Sequence, residues 1–143
     1  MSTCTFFGHR DTPKEKEDSL KSTIVDLIEK NGVNCFYVGN QGNFDNMVIQ
    51  TLKTLADNYS IKCYIVLAYM PRKKEKDFPF NTILPEGIEK IPRRFAIVFR
   101  NKWMIDNSDF VVTGVKHNIS SGAAKAKSYA EKKGKTVVNL DLW

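Results

Sequence analysis

TCTFFGHRDTP, residues 3–13, decides the fold class. Thr3 to Phe7 mixes β-branched and aromatic residues, which suit a strand. The run breaks at Gly8-His9-Arg10, and Asp11, Thr12 and Pro13 then make a helix-starting cluster. From Glu15 to Asn31, Leu20, Ile24, Leu27 and Ile28 recur at helical spacing. Asn31-Gly32 supplies a left-handed stop. Asn34 to Val38 predicts a second strand, and Gly39-Asn-Gln-Gly-Asn-Phe-Asp45 is the turn after it. Met47, Val48, Leu52 and Leu55 trace a second helix. Ile61 to Tyr69 has almost no polar break, as expected of a strand buried on both faces. Strand, helix, strand, helix, strand is the rhythm of parallel βαβ units.

Met70 to Pro92 interrupts that rhythm and carries four of the five prolines. It reads as a long excursion, either a lid or an irregular edge piece. Residues 93–107 admit two readings. Phe95 to Phe99 alone could be a strand. Pro92, however, suits the first turn of a helix, and Arg93 and Arg100 would then share one face. Trp103, Met104 and Ile105 continue an apolar side, so helix is favoured. Phe110 to Thr113 is the next strand. Ser120-Ser121-Gly122 opens a helix through Ala123, Ala126 and Ala130 to Lys133, Gly134 ends it, and Thr136 to Leu140 is the last strand. The expected architecture is a Rossmann-like three-layer α/β sandwich with a mainly parallel sheet of about five strands, one domain over residues 1–143.

At 143 residues the chain has enough length for one core. Its 42% hydrophobic and 27% charged content is ordinary for a globular protein. No apolar run is long enough to cross a bilayer. Met1 to Phe7 lacks a basic flank and reads as strand rather than signal peptide, so a cytoplasmic location is expected. Cys4, Cys35 and Cys63 lie far apart inside strand candidates, without a CxxC pair, and read as small buried thiols rather than zinc ligands. The net charge of +6 favours anionic partners, though many of the lysines read as a solvated loop and helix face.

In an open parallel sheet, ligands bind beyond the carboxyl ends of the strands. Three glycine-bearing turns fall there: Gly8-His9-Arg10, Gly39 to Asp45, and the segment ending in Ser121-Gly122. Each opens or precedes a helix, whose first N–H groups and dipole suit phosphate. The candidate ligand contacts are therefore Gly8, His9 and Arg10, then Gly39, Gln41, Gly42 and Asp45, then Ser121 and Gly122. The Arg10 fork matches phosphate geometry. His9 could contact the ligand or simply bond within its turn. Asp45 reads first as a helix cap, and second as a partner for a ribose hydroxyl. There is no Walker A sequence and no GxGxxG, which argues against an ordinary P-loop NTPase or NAD dehydrogenase. No metal and no resident cofactor is expected.

FFGHR after the first strand, GNQGNFD after the second, and RNKWMIDNSDFVV followed by SSGAAKAKSYAEKKGKTVVNL together resemble the SLOG superfamily. That superfamily holds Rossmann-like proteins, including the Lonely Guy (LOG) phosphoribohydrolases and the nucleotide-binding core of the DNA-processing protein A. The likeness is to its small bacterial and phage branch and covers nearly the whole chain outside residues 70–92. It implies a nucleotide pocket lined by Gly8, Arg10, Gly39, Gly42, Arg100, Ser121 and Gly122. Arg100 matches the arginine that precedes the Met and the Ser-Asp pair in LOG enzymes. Those enzymes carry two glutamates just after a GGxGT turn, where this chain has Lys125 and Ala126. The departure speaks against hydrolysis.

The expected function is thus binding of a nucleotide or nucleotide-derived ligand, as a sensor or binding protein in bacterial or phage stress or defence. Self-association is implied by the resemblance alone. One alternative is an N-glycosidic hydrolase of nucleoside monophosphates, with Asp45 or Asp109 as substitute carboxylate. The other is single-stranded DNA binding, through Arg72 to Lys76 with Phe78 and Phe80.

Overall fold

The computed structural model describes residues 2–71, 77–115 and 121–140. The chain forms β1 (Ser2–Gly8), α1 (Glu17–Asn31), β2 (Val33–Val38), α2 (Gly42–Leu55), β3 (Lys62–Val66), β4 (Asn81–Ile83), α3 (Ala96–Asp106), β5 (Phe110–Gly114), α4 (Gly122–Lys132) and β6 (Thr136–Asn139). The strands make one sheet in the order β4-β3-β2-β1-β5-β6, and every pairing is parallel. This is the expected Rossmann-like α/β sandwich, with one strand more than the expected five.

Side-chain alternation along the strands divides the core between two faces. Phe6, Phe36, Ile65 and Val112 pack with Leu20, Ile24 and Leu27 of α1 and with Phe44, Val48 and Leu52 of α2. Their neighbours Phe7, Val66 and Val111 point the other way, against Met104 and Ile105 of α3 and Ala126 and Ala130 of α4. Each fully buried Leu or Ile contributes roughly 1.5–3 kcal/mol relative to exposure. The apolar stripe of α4 is built from alanines, whose short side chains let its backbone lie close to the sheet.

The helix ends follow the local chemistry. Gly32 terminates α1 at φ 68°, in the left-handed region that Asn31-Gly32 announces. Pro92 precedes a single 3-10 turn, Arg93–Phe95, and α3 follows, so residues 93–106 are helical rather than a strand. Ser121 caps α4, its Oγ accepting from Ala124 N–H at 3.0 Å.

The excursion contributes the sixth strand. Asn81–Ile83 pairs with Tyr64–Val66 at the sheet edge. Leu67 N–H donates to Ile83 O at 2.8 Å and extends the pairing past β3. The basic run from Arg72 to Lys76 lies outside the described residues.

The order of the strands creates the crevice. From β1 the chain proceeds outward through β2 and β3 to β4. It then returns through α3 to lay β5 on the other flank of β1. The carboxyl ends of β1 and β5 are neighbours, with Gly8 opposite Gly114 in the register. A reversal of this kind opens a gap between the loops above the sheet, which is where ligands bind in open α/β folds.

Candidate functional site

A cleft of about 340 Å³ opens at that crevice. The β1–α1 turn lines it with Gly8, His9 and Arg10, the β2–α2 turn with Gly39, Gln41 and Asp45, and the start of α4 with Ser121, Gly122 and Ala123. α3 adds Ile97, Arg100, Asn101 and Met104. Nine of the ten candidate residues therefore meet in one cleft.

Gly42 stands one layer back. Its φ is 88°, and a Cβ there would meet the Arg10 Cα at 2.7 Å. The two turns press together at this point, and Asn43 N–H donates to Arg10 O at 2.8 Å. Gly42 thus shapes the wall that carries Arg10. Gly8 allows a second close approach, because a Cβ on it would sit 2.1 Å from Phe44 Cγ. Phe44 is fully buried in the first turn of α2, so this contact fixes α2 against the end of β1.

The start of α2 is already occupied by protein. Gln41 N–H donates to Asp45 Oδ2 at 2.8 Å, and Asn43 N–H is taken by Arg10 O. Asp45 is not the N-cap, which is Gln41, but it ties down the helix start through that N–H bond and also faces the cleft. The start of α4 differs. Gly122 and Ala123 lie in its first turn, where backbone N–H groups have no intrahelical acceptor, and both line the cleft.

Arg100 enters from α3 and is only 4% exposed. Its Nε and Nη2 donate to Asn101 Oδ1 at 3.1 and 2.9 Å. Among the described residues its Nη1 is buried without a hydrogen-bond partner. Asp45 lies nearby but forms no ion pair with it within 4.0 Å. Burial pulls the Arg100 guanidinium down from its ordinary value, and Asp45 opposes that shift. Burial likewise pushes the Asp45 carboxyl up to about 6, against the Gln41 N–H bond and the charges of Arg100 and Arg10. Arg10 is exposed, with a 3.5 Å contact from Nη2 to Gln41 Oε1. His9 is buried, and its carbonyl accepts from both N–H and Oγ1 of Thr12, which locks the turn.

Other candidates fall elsewhere. Asp109 sits at the amino end of β5, where its Oδ2 accepts from Thr3 N–H at 3.0 Å. That is the sheet edge opposite the cleft, so Asp109 cannot stand in as a reacting carboxylate there. Arg93 stacks on the Tyr69 ring at 4.1 Å and is not a cleft residue. Lys125 is exposed, and Ala126 belongs to the core between α4 and the sheet. Phe78 and Phe80 are partly buried and pack against the main core. Cys4, Cys35 and Cys63 are buried free thiols. Burial pushes Cys63 up to about 12, which keeps it protonated. Among the described residues no group of three or more His, Cys, Asp or Glu could hold a metal. Likewise among them, no helix is long and apolar enough to cross a membrane.

Three contributors from α3 had no place among the expected contacts. Ile97, Asn101 and Met104 flank Arg100 at the i−3, i+1 and i+4 positions. Two of these, Ile97 and Met104, follow from helical spacing once Arg100 is placed in the cleft. Asn101 carries no comparable signal, since its role depends on the rotamer that reaches back to the guanidinium.

No protein-family model matches the chain, and no curated protein matches it.

Proposed function

We propose that the chain binds a phosphate-bearing nucleotide or nucleotide-derived ligand in this cleft and holds it without cleaving it. The observation that carries the reading is the buried, unpartnered Nη1 of Arg100. A buried donor left unmade costs about 1–3 kcal/mol, and more when charged. An anionic oxygen in the cleft would remove that cost. The first-turn N–H groups of Gly122 and Ala123 and the exposed guanidinium of Arg10 line the same space. Together they make a phosphate site of the helix-start type. Ile97 supplies apolar wall for a base or other flat group, and the volume falls within the range of small-ligand pockets.

Membership of the SLOG superfamily, and a place in bacterial or phage stress or defence, belong to the same proposal. They rest on the sequence motifs. The test is titration calorimetry with a panel of nucleoside mono- and diphosphates. Saturable binding that weakens in Arg100→Ala is the supporting result.

A hydrolytic reading draws on one observation, the Asp45 carboxyl facing the cleft. Cleavage of an N-glycosidic bond builds positive charge on the sugar, and an ionised carboxylate must meet it. Asp45 is the single carboxylate among the described lining residues, but its Oδ2 is bound to Gln41 N–H and it faces two arginines. Burial also disfavours the ionised form that the reaction requires. Release of free base from nucleoside monophosphates, lost in Asp45→Asn, would establish the enzyme instead.

A further inference from the structure

We propose that the cleft takes up a proton together with its anion, and that Asp45 is the group that receives it. The inference rests on the anion-binding reading above and adds a condition to it. Its basis is geometric. Asp45 Oδ2 and Arg100 Nη1 each lie 2.9 Å from the point where a Cβ on Gly39 would stand. The carboxylate and the unpartnered donor thus converge on one spot at the cleft wall. An anion drawn to Nη1 arrives beside a carboxylate that is buried and therefore poorly screened.

Two like charges in one buried site do not both persist, and the group that can accept a proton does so. Among the described residues, the charged and titratable groups facing Asp45 are Arg100 from α3, Arg10 from the β1–α1 turn, and His9 in the same cleft. A guanidinium is not a proton acceptor in proteins, so the carboxylate is the acceptor beside the anion. Burial already brings the Asp45 carboxyl to about 6, so a modest push from a bound anion moves it across neutral pH. The sign is fixed. With Asp45 protonated, repulsion of the anion disappears and the Arg100 charge is no longer offset. Affinity is therefore highest below about pH 6 and falls as pH rises through that value.

The site then favours its ligand under mild acidity without any change of fold. The Gln41 N–H bond to Asp45 Oδ2 survives protonation of the other oxygen, so the start of α2 stays tied down in both states.

The probe is inorganic sulfate, which carries the same charge throughout this range, so any pH dependence belongs to the protein. Affinity is measured by amide chemical shifts at constant ionic strength. The wild type should bind about five- to tenfold more tightly near pH 5 than near pH 7.5. Asp45→Asn should bind with the acid-form affinity at both values. A histidine in the cleft could give the same trend, so His9→Gln is the control, and it should retain the pH dependence whatever its absolute affinity. Calorimetry of the wild type in two buffers of different ionisation enthalpy reads proton uptake directly. The same measurement on His9→Gln, with uptake retained, assigns the proton to Asp45 even if Asp45→Asn does not fold. Flat affinity with no proton uptake overturns the proposal and leaves the anion site standing. A pH trend that survives in Asp45→Asn and vanishes in His9→Gln also overturns it. Absence of sulfate binding at every pH overturns the anion site itself, and this inference with it.

Discussion

Asp45 and Arg100 meet across Gly39, a carboxylate oxygen and a guanidinium nitrogen each 2.9 Å from the Cβ that the glycine lacks. Neither is on the element that holds the other. Asp45 belongs to the first turns of α2, and Arg100 to the middle of α3. They come together because the start of α2 and the middle of α3 both line the crevice beside β1. The missing side chain of Gly39 is what leaves room for two buried charges of opposite sign.

Gly39→Ala tests that relationship. The backbone there is outside the left-handed region, so alanine is not strained. Its methyl would collide with the ends of two side chains and displace the guanidinium. We expect stability to change by less than about 1 kcal/mol, and nucleotide affinity to fall roughly tenfold. Chemical denaturation and calorimetry on the same protein check both halves.

Gly8→Ala should behave in the opposite way. Its methyl would meet the ring of Phe44 at 2.1 Å, and that ring is fully buried. Overpacking of this kind costs typically about 1–3 kcal/mol, occasionally more. The midpoint of urea unfolding should drop accordingly. An unchanged midpoint would show that α2 is free to shift.

Gly122→Asp separates binding from folding. A Cβ at Gly122 meets nothing within 4 Å, so the residue fits. A carboxylate at the start of α4 stabilises the helix by about 0.3–1 kcal/mol through its dipole. The same charge repels phosphate from the N–H groups it should bind. The expected result is a protein at least as stable as the wild type that no longer binds nucleotides. Retained affinity would remove the α4 start from the site.

Asp45→Asn predicts a pH-dependent gain in stability. The folded carboxyl titrates near 6, against an ordinary value of 3.8. Keeping it ionised therefore costs stability, by nothing below pH 3.8, increasingly above that, and fully above about 6. At neutral pH the asparagine variant should be more stable by roughly 1–3 kcal/mol, and the gap should close on acidification. Thermal unfolding of both proteins across the range gives the difference directly. A gap that widens in acid would mean the carboxylate is net stabilising.

Much of this site is legible in the residues alone. Gly8-His9-Arg10 and Gly39 to Asp45 each follow an apolar strand and precede a helix, and in a parallel sheet that places them at one edge. The same logic corrects the expectation of Asp109 as a substitute carboxylate. It stands just before Phe110, hence at the amino end of a strand, away from the cleft. β4 is not legible, because three residues between Pro79 and Pro85 become a strand only by pairing with Tyr64–Val66. The role of Gly42 is hidden for a similar reason. Its positive φ and its contact with Arg10 depend on how two distant turns meet. The unpartnered Nη1 of Arg100 depends in turn on the Asn101 side chain, whose rotamer no pattern of residues announces.

The most direct test of the anion site is calorimetric titration of wild type, Arg100→Ala and Arg100→Lys with nucleoside mono- and diphosphates. Arg100 is predicted to donate its buried Nη1 to a phosphate oxygen. At least one nucleotide should bind the wild type, and Arg100→Ala should lose about 1.5–3 kcal/mol of that affinity, the range for a hydrogen bond to a charged group. Arg100→Lys should recover only part of the loss, since an ammonium lacks the fork held by Asn101. Equal nucleotide affinity in all three proteins would contradict the account, and would make Arg100 a structural residue of α3.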